Sequence, residues 1–143
     1  MTVDARVTRL QQFFETLSRG SLAAIATVYA DDAWFKDPFN EVQGLPSVRR
    51  VFEHMFEQVT DPRFVVTHAV SQGDHAFLTW DFEFRMKRAP DQLQVIRGAS
   101  HIQFASEGRV VYHRDYWDAA EELYEKLPIL GGLMRFLKRR AAG

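Results

Sequence analysis

The chain has 143 residues, 46% of them hydrophobic and 26% charged, with a formal net charge of −1. This length suits one domain with one real core, and the balanced charge argues against a nucleic-acid partner or an acidic membrane surface. The chain has no cysteine, which excludes disulfides, a thiol nucleophile and a thiolate metal site.

The N-terminal segment predicts a helix and not a targeting sequence. It reads MTVDARVTRLQQFF, which is charged and lacks the apolar region of a signal peptide. No apolar run approaches the roughly 18 residues of a membrane span, so we expect a cytoplasmic protein without a transmembrane segment. Apolar residues at helical spacing mark one face of this first helix, which should end before Arg19: Val3, Val7, Leu10, Phe14 and Leu17.

Two further helices are predicted before residue 62. Ser21 caps the second, whose apolar period runs to Tyr29 and which the pair Asp31-Asp32 should close. Residues 34–37 are predicted to be extended, because the residue before Pro38 avoids the α region. Pro46 suits the first turn of the third helix, and the segment Thr60-Asp61-Pro62 should stop it.

The period of the pattern then changes from 3.6 to 2, which predicts a sheet. Strands are expected at 63–72, 75–87, 93–105 and 109–117, with a loop over 88–92. One face of the second strand is apolar throughout: Ala76, Leu78, Trp80, Phe82, Phe84 and Met86. Long strands joined by short turns favour a curved antiparallel sheet, and helices followed by strands indicate the α+β class.

The C-terminal tail is different in character. Asp118 should cap a helix through Lys126, and residues 129–140 form a basic amphipathic pattern. Such a helix can lie on a membrane surface, or it can pack on its own domain or on a partner subunit. The Gly131-Gly132 pair weakens a free-standing helix, which favours packing over peripheral membrane contact.

The segments LSRGSLAAIATVYADDAWFKDPFNEVQG, SVRRVFEHMF and FASEGRVVYHRDYWD together resemble the NTF2-like fold. This fold is shared by ketosteroid isomerases, scytalone dehydratase, limonene epoxide hydrolase and SnoaL-type polyketide cyclases, and the resemblance covers about residues 5–118. It implies a cone, in which N-terminal helices pack on a curved, mostly antiparallel sheet around an apolar cavity. We therefore expect a single SnoaL-like domain over residues 1–143, with 119–143 as a helical extension.

Asp37 matches the general base of the ketosteroid isomerases in this resemblance. The positions of the tyrosine and the acid that hold the oxyanion in those enzymes fall on Phe13 and Ser100, which lack strong donors. True steroid isomerase activity is therefore not expected. The alternative role for Asp37 is structural, because an aspartate before a proline commonly caps a turn.

SnoaL-type cyclases carry their proton-abstracting aspartate in a His-Trp-Asp-like motif in the last strand, which reads His113-Arg114-Asp115 here. Alternation places His113, Asp115 and Trp117 on one face. Asp115 would then be a second candidate base with His113 as its proton relay, although both can equally be hydrogen-bonded core residues. The remaining predicted ligand-binding residues wall the cavity: Phe13, Phe52, Trp80, Phe82, Ser100 and Trp117.

No metal or cofactor is expected. His113 and Asp115 supply only two ligands, whereas a catalytic zinc needs three, and the chain has no glycine-rich phosphate loop. The resemblance also implies a homodimer, formed through an outer sheet face that holds Thr79, Asp81 and Arg97.

Two kinds of function follow from these residues. The first is a cofactor-independent isomerase, cyclase or hydrolase in which a cavity carboxylate acts on a small apolar carbonyl or hydroxyl compound. The alternative is a non-catalytic protein, either a binder of a hydrophobic ligand or a dimeric association module.

Overall fold

The computed structural model describes residues 4–123, 136–137 and 139–142. The elements in chain order are α1 (Ala5–Glu15), a 3₁₀ helix (Ser21–Thr27), β1 (Tyr29–Lys36), β2 (Glu41–Gln43), α2 (Leu45–Gln58), β3 (Val59–Gln72), β4 (His75–Met86), β5 (Ala89–Phe104), β6 (Val110–Tyr116) and α3 (Ala119–Glu122). The strands form one sheet in the order β2-β1-β6-β5-β4-β3. Neighbours are antiparallel except for the parallel pair β1–β6. The predicted α+β cone, with helices packed on a curved and mostly antiparallel sheet, is confirmed.

Helix α1 forms where the apolar spacing predicts it. The Asp4 carboxylate caps its first turn by accepting the backbone N–H of Arg6 at 2.9 Å. Its inward face buries four residues against the sheet and α2: Val7, Leu10, Phe13 and Phe14.

The predicted second helix is wrong in its extent. A 3₁₀ helix ends at Thr27, and Tyr29 already begins β1, so Asp31 lies inside a strand. The backbone N–H of Val110 bonds the Val28 carbonyl at 2.8 Å, and Tyr29 pairs with Val110. Pairing with β6 therefore overrides the local helical pattern, because tertiary contacts outweigh the small differences in intrinsic propensity.

Two predicted strand boundaries are also wrong. Strand β3 begins at Val59, directly after α2, and continues through Asp61, whose φ is 52°. Residues 89–92 belong to β5 instead of a loop, because Met86 pairs with Ala89 and the turn between β4 and β5 shortens to residues 87–88. Composition suggested breaks at both places, but hydrogen bonding to a neighbouring strand outweighs it.

The predicted alternation of β4 is confirmed at its buried positions. Ala76, Leu78, Trp80 and Phe84 are buried on the inner face. In the tail, Asp118 caps α3 by accepting the backbone N–H of Glu121, as predicted. The rest of that predicted helix (124–126) and most of the predicted basic helix lie outside the described residues.

Candidate functional site

A cavity of about 730 Å³ lies between α2 and the inner face of the sheet. Its walls are mainly aromatic and aliphatic side chains from five strands, α2 and the chain after β6. The apolar members of this lining are Phe35, Phe39, Val42, Val51, Phe52, Met55, Val59, Phe64, Trp80, Phe82, Phe84, Met86, Ile96, Trp117 and Leu123. Two carboxylates, Asp37 and Asp115, are part of the same lining, which makes the cavity the natural place for a small, mostly apolar ligand.

Asp115 is fixed by two donors that share one of its oxygens. Ser100 Oγ lies 2.5 Å from Asp115 Oδ1, and His113 Nε2 lies 2.6 Å from the same oxygen. Strand pairing brings these groups together, because Ser100 is the direct partner of Asp115 on β5. His113 stands two residues before Asp115 on β6, so both side chains leave the same face of the strand.

The hydrogen bonds extend beyond this pair in both directions. Trp80 Nε1 donates to Ser100 Oγ at 2.8 Å, and Tyr29 Oη lies 2.7 Å from His113 Nδ1. Because an indole nitrogen can only donate, Ser100 accepts from Trp80 and gives its own proton to Asp115.

Tyr29 ends this chain of hydrogen bonds in a fully buried place. Burial raises the pKa of the Tyr29 phenol well above its ordinary value, and the nearby Asp115 charge raises it further. Tyr29 therefore remains a donor. A neutral His113 that receives this proton at Nδ1 must carry its own hydrogen on Nε2, which then points at Asp115.

The second oxygen of Asp115, Oδ2, is free of the hydrogen bonds that hold the first. Among the residues that the structure describes, no donor reaches Oδ2, and no buried side-chain oxygen or nitrogen lacks a partner. Oδ2 therefore retains accessible surface, and the side chain as a whole is 16% exposed. One oxygen is immobilised and the other is open, which is the arrangement that a general base needs.

Asp37 stands at the other candidate position and is engaged in a turn. Its Oδ1 accepts the backbone N–H groups of Phe39 at 2.8 Å and Asn40 at 2.7 Å. The Asn40 amide donates to both carboxylate oxygens, at 3.0 and 3.1 Å. This is the hydrogen bonding of an Asx turn, and it leaves no oxygen of Asp37 without a donor.

The predicted ligand-binding residues fall into two groups. Phe52, Trp80, Phe82 and Trp117 line the cavity. Phe13 lies in the core beside Phe52, with the ring centroids 6.1 Å apart, and Ser100 is buried behind the Asp115 carboxylate.

Sequence reasoning missed two residues of this site. Tyr29 continues the helical period of the segment before it, and the alternation of buried and half-buried residues in β1 starts only at Ala33, so no local pattern marks Tyr29 as a strand residue. Gly98 is the direct partner of Trp80, and a Cβ atom there would lie 2.7 Å from Trp80 Cζ2. An isolated glycine inside a strand pattern signals such a close approach, so Gly98 could have been found from the sequence.

In residues 4–123 and the described part of the tail, no three His, Asp or Glu side chains come together as a metal site. No helix within those ranges is long and apolar enough to cross a membrane.

The family model of the SnoaL-like domain matches residues 10–113. The chain belongs to the SnoaL-like domain family. The match ends at His113, so it covers β1 to β5 and the start of β6, and it includes His113 but not Asp115. No curated protein matches the chain.

Solved structures with this fold match most of the chain at low identity. A Catenulispora acidiphila protein with a ketosteroid isomerase-like fold, in complex with trimethylamine, is 18% identical, with a TM-score of 0.72, and the match covers 85% of this chain and 92% of that one. An LEH-like epoxide hydrolase of M. tuberculosis is 13% identical, with a TM-score of 0.68 and coverage of 82% and 81%. A Shewanella putrefaciens protein named for the SnoaL-like polyketide cyclases is 16% identical, with a TM-score of 0.69 and coverage of 85% and 98%. At these identities the likeness shows the fold alone.

Proposed function

We propose that this protein is a cofactor-independent enzyme in which Asp115 removes a proton from a small, mostly apolar substrate. The observation that carries the proposal is the asymmetry of Asp115, a residue of the cavity lining: Oδ1 is held by Ser100 and His113, while Oδ2 has no donor among the described residues. Asp37 is not the base in this proposal, because the turn that follows it takes up both of its oxygens.

The chemistry starts with Asp115 ionised. Oδ2 takes a proton from a carbon next to a carbonyl group, or from a water that then attacks the substrate. Ser100 and His113 orient the carboxylate throughout, because they donate to the oxygen that does not react. After abstraction, the neutral acid can return its proton to another atom of the same substrate, which completes an isomerisation or cyclisation.

The walls of the cavity support an apolar substrate. Phe82 stacks on Phe64 with the ring centroids 4.5 Å apart, and Phe64 meets Trp80 edge to face at 5.6 Å. Such walls exclude water, which strengthens every electrostatic interaction with the carboxylate. The names of the structural neighbours include an epoxide hydrolase and SnoaL-like polyketide cyclases, which supports chemistry on a small organic substrate.

Deuterium exchange tests the proposal without knowledge of the natural substrate. The purified protein is incubated in D₂O with an aryl β-ketoester and a β,γ-unsaturated cyclic ketone, and α-carbon exchange is followed by NMR. A cyclic alkene epoxide, scored for diol formation, tests water activation. We expect at least one probe to react faster than it does in buffer alone, and Asp115→Asn to remove this acceleration while the protein stays folded; an acceleration that survives in this variant would remove Asp115 from the mechanism.

A non-catalytic ligand-binding role uses the same cavity and predicts the opposite result. A binder would release a hydrophobic molecule when the purified protein is examined by native mass spectrometry, and it would react with none of the three probes. That pair of results would replace the enzymatic proposal.

We also propose that two copies associate through the outer sheet face. Phe77 is 49% exposed there and stacks on His101, with the ring centroids 4.6 Å apart. Sedimentation should show a dimer that Phe77→Asp converts to a monomer; a wild-type monomer at micromolar concentration would contradict this part of the proposal.

A further inference from the structure

One face of α2 places a row of polar side chains along the cavity. Ser47, Arg50, His54 and Gln58 follow one another at intervals of three or four residues, which is the spacing of one helical face. All four belong to the lining of the cavity. Arg50, His54 and Gln58 are also exposed, so this row stands where the cavity opens to solvent.

Arg50 is held on the cavity side of the helix. Its Nη2 donates to Ser47 Oγ at 3.0 Å, and Ser47 lines the cavity too. The neighbouring Arg49 is different: its Nε donates to Glu53 at 2.9 Å, one turn further along α2. The charge of Arg49 is thus paired within the helix, whereas no carboxylate among the described residues lies within 4.0 Å of Arg50.

Neither acid of the cavity lies within ion-pair distance of this guanidinium. Asp37 is occupied by the donors of its own turn, and Asp115 is bound at Oδ1 by Ser100 and His113. Neither forms an ion pair with Arg50. Among the described residues, the Arg50 guanidinium thus stands at the opening of a largely apolar cavity without an ion-pair partner.

We propose that the ligand of this cavity is amphipathic, with an apolar body held among the aromatic walls and an anionic group bound by Arg50 at the opening. A guanidinium suits this role because its planar N–H groups match the geometry of a carboxylate or phosphate. The inference deepens the proposed function and rests on it in one respect, namely that this cavity is the substrate site.

The test compares two rigid probes that differ only in charge, 2-naphthoate and 2-naphthamide, by isothermal titration calorimetry. We expect the acid to bind about tenfold more tightly than the amide, which is typical for one charge-assisted hydrogen-bonded contact near the surface. Arg50→Gln should remove this preference by weakening the acid alone. Arg49→Gln is the matched control and should preserve it.

Three results would overturn the inference: equal affinities for the two probes, no binding of either probe, or an unchanged preference in Arg50→Gln. Raising the salt concentration from 50 to 500 mM should weaken only the acid. The affinities of the wild-type protein for 2-naphthyl phosphate and 2-naphthoate then show which anionic headgroup is preferred, and both should bind Arg50→Gln more weakly.

Failure of this inference is distinguishable from failure of the proposed function. An Asp115→Asn protein that keeps the acid preference but shows no difference in probe turnover from wild type would refute the base and support the anion site. A wild-type enzyme that depends on Asp115 but binds acid and amide equally would support Asp115 as the base and refute the anion site.

Discussion

Asp37 and Asp115 lie at the ends of neighbouring parallel strands, one residue beyond the pairing of Lys36 with Arg114. Both line the cavity, and both come directly after a basic strand residue. Their hydrogen bonds differ completely. Asp37 receives donors from the turn that immediately follows it, so its oxygens are bound by its own local chain. Asp115 receives donors from β5 and from its own strand, all on one oxygen.

The comparison indicates that a carboxylate keeps an oxygen for chemistry when all of its hydrogen-bond donors bind the other oxygen. Four hydrogen bonds spread over two oxygens make Asp37 a structural cap. Two hydrogen bonds on one oxygen hold Asp115 in place and leave Oδ2 without a donor among the described residues.

Replacing each acid by its amide should separate the two roles most strongly. Asp115→Asn should slow turnover by about 10²–10⁴, the usual contribution of a general base. Asp37→Asn should leave turnover within about threefold. It should instead lower the free energy of unfolding by about 1 kcal/mol, because a turn with a weaker acceptor is less stable. Turnover assays and urea titrations of both variants provide the measurement, and equal losses of activity would end the contrast.

Gly98→Ala should disturb the hydrogen bonds that hold Asp115 while leaving the Asp115 side chain itself unchanged. The new Cβ would meet the Trp80 ring at 2.7 Å from Cζ2, so the indole must move away from Ser100. We expect a loss of about 1–3 kcal/mol in unfolding free energy, as for other overpacked cores, together with slower turnover. Gly20→Ala is the control, because its nearest contact would be an ordinary 3.8 Å; equal stability of the two variants would contradict the close packing of Trp80.

Tyr29 should make the stability of the folded protein depend on pH in the alkaline range. Burial, followed by the Asp115 charge, raises the pKa of Tyr29 above its usual 10.0, so the folded state keeps a proton that the unfolded chain releases. This contribution to stability is therefore complete below about pH 10 and is lost as the pH rises further. Thermal unfolding from pH 8 to 11 should show a smaller alkaline loss in Tyr29→Phe than in wild type. The exposed Tyr116→Phe should behave as wild type, and identical profiles for all three would refute the assignment.

Asn40→Ala should have the smallest effect and should affect only the Asp37 side. It removes the amide that reaches both Asp37 oxygens but keeps the backbone donors. The expected cost is about 0.5–1 kcal/mol in unfolding free energy, with turnover unchanged. A loss of turnover comparable to that of Asp115→Asn would assign a role in the reaction to the Asp37 turn.

The order of helices and strands could be predicted because the spacing of apolar residues within each element is a local feature of the sequence. The helical face of Val7, Leu10 and Phe14, and the alternation through β4, reflect burial that repeats with the period of each element. Boundaries failed at Tyr29, Val59 and Ala89, where pairing with another strand supplies hydrogen bonds that no local pattern reveals.

The candidate acids were also visible in the sequence, since a carboxylate among aromatic residues is costly to bury without a purpose. Of the two partners of Asp115, His113 could be expected from its place two residues earlier on the same strand, but Ser100 could not. Trp80 bonds Ser100 and Tyr29 bonds His113, each from a different strand, and cross-strand register decides which side chains face one another.

The sequence by itself determined the class of fold, the strand faces and the two acids worth testing, because periodicity and residue chemistry are local properties of the chain. Only the tertiary structure shows which of the two acids keeps an oxygen without a hydrogen-bond donor among the described residues. That choice depends on donors 15 and 84 residues apart along the chain, from Ser100 to Asp115 and from Tyr29 to His113. Only the folded sheet brings such donors within hydrogen-bonding distance.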